Sequence, residues 1–150
     1  MAERPAINAS PLILLTKAGL LDLLQSVSQE IVVPAAVAME IQQYGVKDVT
    51  AQAIAQTNWL VVVDTPPVPE LIQSYDLGPG ESAVLMWGYV HPNTEVIVDD
   101  LAARRCAVAL EIPLRGTLAL VLKGKQRGTI PSARPFWSSC TPLGCICLSG

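Results

Sequence analysis

A single α/β domain with a parallel central sheet is the fold this chain predicts, and three observations predict it. Short apolar runs rich in Val and Ile alternate with longer helical segments, the succession of strands and covering helices found in parallel sheets. The composition is 51% hydrophobic but only 5% aromatic, so the core must be built from Leu, Val, Ile and Ala, as suits helices packed on a sheet. A length of 150 residues allows one domain a sizeable core and is short for two.

Taken in order, residues 5–8 read as the end of a short strand. Ser10 and Pro11 then read as a helix N-cap followed by proline at the first helical position. Helical turns follow over 12–17 and 20–27, broken near Gly19. The β-branched run 30–33 is a strand that Pro34 stops, and the alanine-rich stretch 35–44 is a helix ending at Gly45. Residues 49–56 give another helix, and 59–63 a second apolar strand whose end is marked by Pro66 and Pro67. The best-delimited helix is 77–92, where Gly78, Pro79 and Gly80 break the chain and Glu81 sits in the first turn, favoured there by the helix dipole. Residues 95–98 form a strand, Asp99 and Asp100 begin a helix to about residue 110, and Gly116 and Thr117 open one reaching about residue 127. This β-α-β alternation implies helices on both faces of the sheet and a site beyond the carboxyl ends of the strands. Asn8 and Asp99 both fall at such ends.

Asn8, Glu40, Glu81 and Asp99 stand at or near element boundaries, where a compact α/β domain can gather them into one pocket. Convergent oxygen ligands suit Mg²⁺ or Mn²⁺, and such ions activate water and stabilise the leaving oxygen of a phosphodiester. Each acid also has a plainer reading. Glu81 serves as a first-turn helix charge and the Asp99-Asp100 pair as an N-cap. Glu40 is harder to dismiss, because it ends an apolar stretch where a charge is costly unless solvated or paired. The formal charge of −3 is uneven: all 13 acids lie at or before Glu111, whereas Arg115, Lys123, Lys125, Arg127 and Arg134 follow without one acid. A basic flank beside an acidic centre suits a phosphate backbone, and a solvated helix face explains it equally well. Arg104 and Arg105, one turn beyond Asp99, are in position to reach RNA phosphates or to pair with the acids.

The segments Asn8-Ala-Ser-Pro-Leu12, Val33-Pro-Ala-Ala-Val37 leading to Glu40, Gly78-Pro-Gly-Glu-Ser82 and Val96-Ile-Val-Asp-Asp100 together resemble the PIN domain superfamily, nearest its VapC-like, toxin-related prokaryotic proteins. Ala102-Ala-Arg-Arg-Cys106 and Arg115-Gly-Thr-Leu118 fit the same subgroup, so the resemblance spans residues from about 6 to 131. Each motif alone is weak, and their order and spacing carry the likeness. The resemblance implies a three-layer PIN-like domain over residues 1–134 and a Mg²⁺- or Mn²⁺-dependent endoribonuclease of toxin–antitoxin type. RNA, a small antitoxin protein and a second copy of the chain are the partners it implies. Its four acidic positions fall on Asn8, Glu40, Glu81 and Asp99, with Asp100 as a substitute or outer partner, and Ser10 and Thr117 match hydroxyls that orient the metal site. The departure is Asn8: an amide offers a carbonyl oxygen but no charge and no base, so metal affinity should fall. A PIN-like domain that binds RNA or an antitoxin without cutting is the alternative.

His91 is the only histidine, which speaks against a histidine-based triad or a His-rich zinc site. Cys106 reads as a small core residue, while Cys140, Cys145 and Cys147 lack the paired spacing of a zinc site. No apolar run approaches the roughly 20 residues that span a bilayer, and the N-terminus lacks the pattern of a secretory signal. A cytoplasmic location is the expectation. Beyond Arg134 the character changes: residues 135–150 carry three of the 4 cysteines and no charge. That tail is atypical for the family, and either a shifted reading frame or a divergent terminus accounts for it.

Overall fold

The computed structural model describes residues 4–126, and the tail at 135–150 lies outside the described residues. Five parallel strands form one sheet in the order β3-β2-β1-β4-β5. They are β1 (Ala6–Ile7), β2 (Ile31–Pro34), β3 (Leu60–Val63), β4 (Val96–Ile97) and β5 (Leu114–Arg115). The helices are α1 (Ala9–Lys17), α2 (Ala35–Gln42), α3 (Val49–Gln56), α4 (Glu70–Gln73), α5 (Pro79–Val90), α6 (Leu101–Ala109) and α7 (Thr117–Gln126), with a 3₁₀ segment at Leu21–Ser26. The result is a three-layer α/β fold, as the alternation of strand and helix patterns predicted.

Strand β1 is central, and Ala6 pairs with Val32 on one side and with Val96 on the other. Every residue of β1, β2 and β4 is buried, the near-continuous apolar pattern of strands covered on both faces. At the edge, β3 alternates in burial and β5 is half-buried. Helix α5 is apolar nearly all round, and all its residues from Ser82 to Gly88 are buried. It crosses β2, β1 and β4 and packs against α2, α4 and α6. Its far end is tied back to the start of the sheet, where the Trp87 indole N–H donates to the Arg4 carbonyl at 2.8 Å. Cys106 is fully buried in α6, as expected of a core cysteine, and burial pushes its thiol pKa up.

Several boundaries differ from the sequence expectation for identifiable reasons. Helix α1 opens directly after the strand with Asn8, not Ser10, at the N-cap position, so Pro11 falls inside the first turn, where its missing N–H has no intrahelical partner to lose. Gly19, at φ 71°, takes the left-handed turn that separates α1 from the 3₁₀ segment. Helix α2 stops at Gln42, two residues early, and Tyr44 lies in the turn before Gly45. The short elements α4 and β5 were not expected from the sequence. Four and two residues, respectively, are too few to display a helical or strand period.

No helix among the described residues is long and apolar enough to cross a membrane.

Candidate metal and nucleic-acid site

The strand order creates the site. The chain moves outward from β1 through β2 to β3, then returns to the opposite side of β1 for β4 and β5. A crevice opens at the carboxyl ends of the two strands flanking such a reversal, here β1 and β4. Asn8 follows β1 directly, and its backbone N–H donates to the Ile97 carbonyl at 3.0 Å. Asp99 leaves β4 two residues after Ile97. Both sit on this edge because they lie one and two residues beyond the ends of their strands.

Asn8 is a buried polar residue, only 3% exposed, and its side chain does not cap α1. Its oxygen is turned instead toward the first turn of α5. A Cβ placed on Gly80 would lie 3.5 Å from Asn8 Oδ1, 3.6 Å from Glu40 Oε1 and 3.3 Å from Val37 Cγ2. The amide oxygen and one carboxylate oxygen therefore converge over a glycine that leaves room between them. Glu40 reaches this point from the exposed side of α2. Removal of its carboxyl from water raises its pKa above the ordinary value of 4.5, and the negative charge of Glu81 raises it further. Glu81 belongs to the first turn of α5, where its Oε2 accepts the Gly78 N–H at 3.2 Å. The helix-start reading and the site reading of Glu81 are thus compatible.

Asp99 is held from the opposite side. Its Oδ1 accepts the Thr117 backbone N–H at 2.8 Å, and its Oδ2 accepts the Thr117 hydroxyl. This fixes the carboxylate at the start of α7. Asp100 faces away: exposed at the N-cap of α6, its Oδ2 accepts the Ala103 N–H at 3.0 Å. Ser10 is exposed on the first turn of α1, and Arg105 is exposed on α6. Arg104 is half-buried, and its guanidinium lies beside Gly116, close to Asp99. The two glycines were not singled out as site residues by the sequence. Both fall at helix starts within the segments that carry the family resemblance, which gave neither of them a role in the site.

The donors that gather here are hard oxygens, the type Mg²⁺ and Mn²⁺ prefer. Asn8 fits in particular, since its buried oxygen is not used by the helix it precedes and faces Glu40. The charge is thin, however: among the described residues no three His, Cys, Asp or Glu side chains lie close enough together to hold a metal ion. Asn8 and Glu40 come together over Gly80, with the charge of Glu81 acting on Glu40, whereas Asp99 is held separately by Thr117.

A parallel five-stranded sheet with this acidic edge defines a PIN-type α/β domain. A family model described as PIN domain matches residues 5–144, and the chain belongs to that family. The family is nuclease-type in function, and its members commonly bind RNA. A search of curated proteins found no match.

Proposed function

We propose that this protein is an endoribonuclease of the toxin–antitoxin kind, VapC-like in descent, dependent on Mg²⁺ or Mn²⁺ and weakened by Asn8. The observation that carries this reading is the convergence of Asn8 Oδ1 and Glu40 Oε1 over Gly80, with Asn8 directly beyond the carboxyl end of β1. RNA, a small antitoxin protein and a second copy of the chain are its partners, in the cytoplasm.

Asn8, Glu40 and Glu81 would hold the ion, with Asp99 facing it across the crevice. Such an ion, when bound, would polarise the phosphodiester and lower the pKa of a bound water toward neutrality. The chain's own contributions are positional. Thr117 orients both oxygens of Asp99, so this carboxylate enters the reaction without reorganising. The repulsion between Glu40 and Glu81 favours a bound cation, which relieves it. Asn8 contributes an oxygen but no charge, and so supports less tight cation binding than an aspartate would.

A second reading, a domain that binds RNA or an antitoxin without cutting, is favoured by the absence of a three-acid set among the described residues. Cleavage of single-stranded RNA with Mn²⁺ or Mg²⁺, against an EDTA control, separates the two. The nuclease reading expects slow cleavage that EDTA stops and that Asp99→Asn abolishes, while circular dichroism shows the variant folded. RNA bound but never cleaved supports the second reading.

A further inference from the structure

Arg104 lies in the first half of α6 with its guanidinium over the β5–α7 junction. A Cβ on Gly116 would meet Arg104 Nη1 at 2.8 Å and Asp99 Oδ1 at 3.3 Å, so a side chain at this position would push the end of the arginine aside. Both oxygens of Asp99 are engaged by Thr117. Arg104 forms no ion pair with it. Among the described residues the ion pairs are Arg4 with Glu30 and Arg115 with Glu95. Arg104 is therefore a half-buried cation beside Asp99 that forms no ion pair with a carboxylate among the described residues. Arg104 lines a shallow, largely apolar cavity together with Leu101, Arg105, Val108, Ala109 and Leu114, and it differs from Arg105 in being half-buried and in lying beside Gly116 and Asp99. Partial burial limits the side chain's freedom, and its planar fork lies over Gly116 on the side of Asp99.

A held guanidinium with unused donors is suited to bidentate recognition of a phosphate. We infer that Arg104 anchors the RNA phosphate nearest Asp99, that Gly116 is the clearance this arginine requires, and that exposed Arg105 is dispensable for that contact. The inference rests on the RNA reading above and assigns the phosphate contact within it.

Fluorescence anisotropy of a labelled single-stranded RNA, measured in EDTA over a range of salt, tests this without cleavage. Arg104→Gln should weaken binding about tenfold, the scale of a charge-assisted hydrogen bond. It should also lower the salt dependence by about 0.7 in log–log slope, as expected for one lost phosphate contact on a single strand. Arg104→Lys should recover only part of the affinity, and Gly116→Ala should weaken binding by displacing the fork. Arg105→Gln should stay within about twofold of wild type, with the salt slope unchanged. Thermal melts establish that each variant is folded, and Gly116→Ala with Arg104→Lys decides the matter if Arg104→Gln is not. Wild-type affinity in the Arg104 and Gly116 variants, or equal losses at Arg104 and Arg105, overturns the inference alone. Wild-type protein that binds no RNA overturns it together with the RNA reading, whereas loss of metal-dependent cleavage with binding intact removes only the nuclease reading.

Discussion

Asn8 and Glu40 carry the proposed chemistry at the scale of single residues, and they are opposed in kind: a buried neutral amide and an exposed acid whose carboxyl lies near the same glycine. Because the folded state raises the Glu40 pKa, it holds that proton more tightly than the unfolded chain does. The stability linked to Glu40 is complete below the ordinary value of 4.5 and declines as pH rises through the raised value. Glu40→Gln should therefore raise the melting temperature of the metal-free protein at pH 7, and the gain should vanish by pH 4. Melts in EDTA at the two pH values check this, and a destabilised variant at pH 7 would contradict it. Asn8→Asp should act oppositely, lowering metal-free stability by adding a carboxylate near Glu40 while tightening Mn²⁺ binding. Calorimetry giving identical Mn²⁺ binding for both forms would exclude Asn8 as a ligand. Asn8 and Asp99 were legible in the sequence because a residue that follows an apolar strand must emerge at the sheet's edge. The roles of Gly80 and Gly116 were not, since clearance is a property of the neighbours and not of the glycine.

At the scale of elements, the site depends on how closely α5 lies on the sheet. Gly88 permits that approach: a Cβ there would fall 2.6 Å from Ile112 Cγ2 and 2.8 Å from Val96 Cγ1. Both neighbours are buried and have little room to move. Gly88→Ala should lower stability by about 1–3 kcal/mol through overpacking, measurable by denaturant unfolding. An unchanged midpoint would show that α5 can shift without cost. Long segments with clear periods, such as α3 and α5, were legible; α3 was expected at its observed bounds. Strand β5 was invisible because its two residues are secured by neighbours rather than by pattern: pairing with β4 and the Arg115–Glu95 ion pair, with contacts of 2.7 and 3.0 Å. Glu95 is thereby held below its ordinary pKa, chiefly by the hydrogen bonds from Arg115.

For the whole molecule, topology turns scattered residues into a site. Asn8 and Asp99 are far apart in the chain and lie beyond the ends of adjacent strands because β4 returns to the side of β1. The sequence foretold a parallel sheet but not this strand order, which depends on long-range pairing that no local pattern specifies. Residue types marked Asn8, Glu40, Glu81 and Asp99 as candidates, whereas the grouping of Asn8 with Glu40 and of Asp99 with Thr117 depends on which groups the helix starts engage. The central claim is that a charge-depleted metal site limits RNA cleavage, and the most direct measurement is the rate of Mn²⁺-dependent cleavage by wild type and Asn8→Asp side by side. An aspartate that returns the missing charge should raise the rate at limiting Mn²⁺, with EDTA stopping both forms. Equal rates, or RNA left intact by both forms at saturating Mn²⁺, would contradict the claim.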